Sequence, residues 1–181
     1  KSRKDIKDKI YQYLTDLETK IVSAEDRDKI KLKDFPKGYD WFNCDQELSF
    51  ETNLKNKLVV IDFWTFCCIN CLHVLPELQD LEMKYSSNPG IAFIGCHSAK
   101  FENERDSKVI RDAVMKYEVQ HPVVNDHDLI IFNNYDIFCW PSLLIIGPDR
   151  YPIALLTGEG HKQRLDCFLE VAAKFYKDKL N

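Results

Sequence analysis

The chain has 181 residues, enough for one domain with a substantial core and short for two. Its formal net charge of −4 offers no basic footprint, so nucleic acid is not an expected partner. No apolar run approaches the ~20 residues of a membrane span, so a membrane is not expected either.

Residues 1–34 differ in pattern from the remainder of the chain. Ile6, Ile10, Tyr13, Leu14, Leu17 and Ile21 recur at helical spacing among charged residues, which predicts an amphipathic helix with one apolar stripe. The start at Lys1, charged and without an apolar signal core, reads as the edge of a piece of something longer. The mixed-sign run from Asp26 to Lys33 lacks interleaved aromatics and reads as a solvated face. Asp34-Phe35-Pro36-Lys37-Gly38 breaks the pattern. It divides a helical extension, 1–34, from a body, 35–181.

The body alternates strand and helix signals. Leu58 to Trp64 is a nearly continuous β-branched and aromatic run, as expected of a strand buried on both faces. From Ile69 to Lys84 the pattern turns helical, with Leu72, Leu75, Leu78 and Leu81 three apart. Asn88-Pro89-Gly90 predicts a turn and Ile91 to Cys96 a second buried strand. A helix carrying Val109, Ile110, Ala113, Val114 and Tyr117 comes next, then a short strand at Pro122-Val123-Val124 and a short helix from Asp128 to Tyr135. Ser142–Ile146 and Ile153–Leu156 flank the turn Gly147-Pro148-Asp149-Arg150 and read as a hairpin. A last helix is predicted from His161 to Lys177. The order implies an α/β fold: a mixed, mostly parallel central sheet flanked by helices, with the amphipathic extension in front.

One cluster carries chemistry. Cys68-Ile69-Asn70-Cys71 sits where the first strand runs into the first helix. Three residues along a helix is one face-sharing step, so the two sulfurs can meet in a small disulfide. At the helix start, free N–H groups and the dipole favour a thiolate on Cys68; Cys71, one turn in, is the more buried thiol. Cys68 is therefore the candidate nucleophile and Cys71 the candidate resolving thiol. Zinc would need two further ligands, and only Cys67 and His73 are near in sequence, so neither a metal nor a cofactor is expected. An inert pair of core cysteines is the plain alternative. The other cysteines are scattered: Cys44, Cys96, Cys139 and Cys167 stand alone. An odd total of seven does not suit a secreted disulfide framework, which predicts a reducing, cytoplasmic setting.

Val60-Ile61-Asp62-Phe63-Trp64 followed by the Cys-x-x-Cys pair resembles the thioredoxin superfamily, over about residues 35–180. The resemblance implies a thioredoxin-like fold and gives Asp62 the place of a buried acid that exchanges protons with the resolving cysteine. It gives Pro76 the place of the helix-kinking proline, and Pro141 that of a cis-proline facing the dithiol and aligning a substrate strand. Phe66–Cys71, His97–Phe101, Cys139-Trp140-Pro141, Gly158–Lys162 and Phe175–Asp178 resemble more narrowly the thioredoxin-like domains that precede a β-propeller in NHL repeat-containing proteins. That implies a cytosolic domain with an intramolecular propeller as natural neighbour.

Some positions depart from the superfamily. Cys67 stands where Trp is usual, Ile69-Asn70 where Gly-Pro is usual, and Trp140 where a small or aliphatic residue precedes the proline. Cys67 reads either as a third exchanging thiol or as a side chain filling a pocket beside the dithiol. Cys139 is either near the dithiol or a small buried apolar residue. His97, Lys100, Glu159 and His161 could form a polar rim near Cys68, or be ordinary loop residues. Two functions fit these residues: a thiol–disulfide oxidoreductase acting on protein disulfides, or a redox-inactive module that docks a propeller or another protein.

Overall fold

All seven residues of the run Leu58–Trp64 are buried, and this strand is the axis of the molecule. The computed structural model describes residues 2–21 and 24–181; Lys1, Val22 and Ser23, which fall within the predicted extension, lie outside the described residues. In chain order the elements are α1 (Arg3–Lys20), α2 (Ala24–Ile30), β1 (Trp41–Phe42), β2 (Leu58–Trp64), α3 (Ile69–Lys84) and β3 (Ile91–Ser98). Next come α4 (Ser107–Lys116), β4 (Val123–Asp126), α5 (Ile130–Asn134), β5 (Ser142–Ile146), β6 (Pro152–Thr157) and α6 (Lys162–Phe175). Single 3₁₀ turns lie at Glu102–Glu104 and Lys177–Lys179.

The strands form one mixed sheet in the order β1-β4-β3-β2-β5-β6. β2, β3 and β4 run parallel, joined by crossovers through α3 and α4. β5 and β6 form the predicted hairpin and run antiparallel beside β2. The two-residue β1, which no sequence pattern announces, pairs antiparallel with β4. Asp62 of β2 lies opposite Gly95 of β3. The carboxyl ends of β2 and β3 deliver residues 65–68 and 99–101 to one edge, where open α/β sheets gather their sites.

Apolar side chains cover both faces of the sheet. Val60, Leu143 and Ile145 point toward α3, α6 and α1, whereas Val59, Ile61, Phe63 and Leu144 point toward Phe35, Phe50 and Phe132. The predicted amphipathic stripe of α1 packs on this same domain. Leu14 is wholly buried and Ile10 nearly so, and covering the Leu14 side chain contributes about 2 kcal/mol. Polar contacts fix the helix against α6 and β6: Arg3 and Lys7 pair with Glu170 at 3.1 and 2.6 Å, and the Tyr13 hydroxyl donates to the Ile153 carbonyl. Arg27, expected on a solvated face, instead bridges Glu18 (3.1 Å) and Asp149 (2.7 Å) and is half-buried. The sign-alternating run conceals it, because its partners lie outside that run and, for Asp149, far away in the chain.

Candidate active site

Cys68 is the N-cap of α3, with extended backbone angles, and its Sγ accepts the Cys71 N–H at 3.3 Å. The helix opens there because a sulfur at the cap position meets one of the N–H groups that a first turn leaves free. That hydrogen bond aims a backbone N–H of the first turn at the Cys68 sulfur. Cys68 is partly exposed and Cys71 is fully buried; both are free thiols. Burial raises the Cys71 thiol far above its ordinary range, and the sulfur of Cys68 and the charge of Asp62 push in the same direction.

Asp62 is wholly buried on the strand below, and neither of its carboxylate oxygens has a hydrogen-bond partner among the described residues. Desolvation lifts its carboxyl to about 7, His121 lowering it and Glu82 raising it. Trp64, Cys71 and Leu75 form an apolar cluster, against which Cys68, Phe66 and Trp140 pack. The Trp140–Pro141 peptide bond is cis. The Trp140 ring stacks on Phe132 with centroids 4.6 Å apart, and its N–H donates to the Ser98 carbonyl at 3.0 Å. Stack and hydrogen bond together hold the ring in place.

The remaining predicted residues separate. His97 does not belong to a polar rim: it is fully buried, its Nε2 accepts the Phe66 N–H at 3.2 Å, and it packs between Trp64 and Phe66. Burial lowers its imidazole to about 4, so it stays neutral. The last residues of β3 carry it inward, and the strand reaches to Ser98, two residues beyond the predicted end. Lys100 is exposed over the rings of Phe101 and Trp140. Glu159 meets His73 of α3 at 2.8 Å, and His161 meets the Thr157 carbonyl, so these two do not pair with each other. Cys67 does not fill a pocket; it is exposed. Partial desolvation and the adjacent Glu104 carboxylate raise its thiol. Cys139 is half-buried, 3.5 Å from the Ser142 hydroxyl.

Three further residues of this region carry no signal in the sequence. Glu104 is buried, accepting the Phe101 N–H at 2.9 Å and the Cys67 N–H at 3.4 Å, and so ties the 3₁₀ turn to the dithiol loop. Glu82 and His121 lie 39 residues apart and join at 2.8 Å. No local spacing announces either arrangement; only the fold brings them together.

A family profile described as thioredoxin-like matches residues 56–151. The chain belongs to the thioredoxin-like family. It is 42% identical over 170 residues to NHL repeat-containing protein 2 of Homo sapiens, a match covering 94% of this chain and 23% of that protein. The chain thus spans less than a quarter of that relative's length. It is 26% identical over 150 residues to the thiol-disulfide oxidoreductase ResA of Bacillus thuringiensis subsp. konkukian, covering 83% of this chain and 72% of that protein. The crystal structure of the thioredoxin-like superfamily protein SPOA0173 superposes with a TM-score of 0.68 at 19% identity. That superposition covers 79% of this chain and 96% of the other, and the likeness is one of fold.

Proposed function

We propose that this domain is a thiol–disulfide oxidoreductase acting on protein disulfides. The observation that carries the reading is the asymmetry of the pair. An accessible Cys68 is capped by an N–H, and a buried Cys71 lies near an unpartnered acid that titrates at about 7. Thiolate Cys68 attacks a substrate disulfide and forms a mixed disulfide. Cys71 then loses its proton to Asp62, attacks Cys68 and releases the second substrate thiolate. The dithiol ends as a disulfide and the substrate as two thiols. Pro141 and Trp140 are the groove residues that would align the substrate strand. Ile69 beside Cys68, Phe101 just after β3 and Phe138 two residues before Trp140 are 65%, 54% and 71% exposed, apolar side chains that suit a protein segment better than a small polar thiol. The likeness to ResA supports this reading, and the cysteine usage supports a reducing, cytoplasmic setting. A disulfide-reduction assay with a small dithiol as regenerating reductant tests it: the parent turns over, and Cys68→Ser falls to the uncatalysed rate. Equal rates in parent and variant would leave the domain without this activity.

The fixed Trp140 ring favours a second reading, a redox-inactive module that docks its natural neighbour. In a longer chain that neighbour would be an NHL-type propeller, as the name of the human relative suggests. Trp140→Ala separates the two. If Trp140 narrows a working groove, the variant should turn over a large protein disulfide several-fold faster while a small disulfide changes little. The gain should appear although losing the Phe132 stack costs about 3 kcal/mol of stability. Unchanged turnover of both substrates would remove Trp140 from the groove.

A further inference from the structure

Below the dithiol, several buried polar atoms converge without protein partners. Among the described residues, both oxygens of Asp62, Nε1 of Trp64 and Nε2 of His121 have no hydrogen-bond partner. Asp62 and Trp64 are two apart on β2 and point to the same face, and Gly95 faces Asp62 across the ladder. A Cβ on Gly95 would meet His121 Nε2 at 3.1 Å and Trp64 Nε1 at 3.2 Å. The place of the absent side chain is thus taken by the two ring nitrogens, beside the Asp62 carboxyl. Alanine at this position would displace one of them.

The other nitrogen of His121 leads outward. Nδ1 lies 2.8 Å from Glu82 Oε1, so a neutral ring donates there and turns an acceptor Nε2 toward the buried pocket. Glu82 lies eleven residues beyond Cys71 on α3, three turns and about 16 Å along one helix face. The His121 side chain is buried, whereas Glu82 keeps 19% of its side chain exposed. With Tyr85, Phe93 and Pro122 they line an open cleft of about 370 Å³ that includes no residue of the dithiol loop or its rim.

We propose that His121 and Glu82 are a proton exit for the resolving step, carrying the proton that Asp62 takes from Cys71 out through this second cleft. The proposal rests on the oxidoreductase reading. A substrate bonded to Cys68 covers the groove side, so the proton that Asp62 accepts exchanges with solvent by another way. As Cys71 Sγ bonds to Cys68 Sγ, the Cys68–substrate bond breaks and its electron pair leaves on the substrate sulfur. The Cys71 proton goes to Asp62, then through one bridging water to His121 Nε2, while the Nδ1 proton passes to Glu82 and solvent. Re-reduction of the disulfide runs the path backward and restores the tautomer. The titratable groups facing Asp62 are Cys71 and Glu82 from α3 and His121 from the segment before β4; on that face β3 offers Gly95 and, two residues on against the Trp64 ring, the neutral His97.

The test uses Ellman's reagent in stopped flow on protein with Cys44, Cys67 and Cys139 replaced by Ser. One thionitrobenzoate is released on attack by Cys68 and a second on resolution by Cys71. His121→Gln and Glu82→Gln should keep the first phase within about twofold and slow the second by about tenfold or more at neutral pH. The ¹³C titration of the Asp62 carboxyl adds a readout independent of turnover: its midpoint should rise in His121→Gln and fall in Glu82→Gln. Glu82 is partly exposed, so its variant keeps the test open if His121→Gln fails to fold. A second phase at the parent rate in the folded variants overturns the relay while leaving the oxidoreductase reading intact. A second phase that is absent in the parent, or unaffected by Asp62→Asn, sinks that reading and the relay with it.

Discussion

Between about pH 4 and pH 7, Asp62→Asn should gain about 4 kcal/mol of stability relative to the parent. The Asp62 carboxyl rises from an ordinary 3.8 to about 7 in the folded chain, chiefly because burial disfavours the charged form. Below both values the two states hold the same proton and no difference exists. As pH rises through the window the unfolded chain releases that proton and the folded chain keeps it, so folding loses stability. About three units at about 1.4 kcal/mol each give that size, and above about pH 7 the loss stops growing. The difference between variant and parent is the quantity to measure, because His97 opposes the slope. Its imidazole falls to about 4 on burial, so the folded state gains stability as pH rises from about 4 to 6.5 and hides part of the Asp62 effect. Urea denaturation of both proteins at half-unit steps of pH decides the matter. Parallel profiles would mean that Asp62 ionises in the folded state as readily as in the unfolded one.

How legible each feature is in the sequence depends on how far apart its partners lie. The run Leu58–Trp64, the Cys68–Cys71 spacing and the turn before Ile153 are local patterns, and each element they imply forms. The difference in exposure between Cys68 and Cys71 is readable because one sits at a helix start and the other a turn later. Asp62 is readable only through family likeness, since a lone acid in an apolar strand has no periodic signature. His97 is misplaced by the sequence because a strand's end cannot be read to within two residues, and one residue of shift turns a side chain to the other face. Glu82–His121 and Glu104–Cys67 are invisible: each joins distant segments that only the crossovers bring together. The stripe of α1 is visible as a stripe, but its partner on α6 lies 163 residues on, as in the Lys7–Glu170 pair.

Cys71→Ser should trap substrate on the protein. The mixed disulfide at Cys68 forms at the parent rate and then persists, with resolution slowed by about a thousandfold or more, because a serine hydroxyl in the same place does not attack sulfur. Intact mass would show one substrate thiol per chain, removed by added dithiol and absent in Cys68→Ser. The outcome also decides the role of Cys67, which stands exposed beside Cys68. Two arguments count against Cys67 as a substitute resolving thiol. A disulfide between adjacent residues strains the peptide that links them. The thiol is also held above its ordinary range by partial desolvation and by Glu104, which leaves less thiolate to attack. Trapping in Cys71→Ser alone therefore assigns resolution to Cys71. If the adduct survives only when Cys67→Ser is added, the third cysteine is an active member of the site and the dithiol account must become one of three sulfurs.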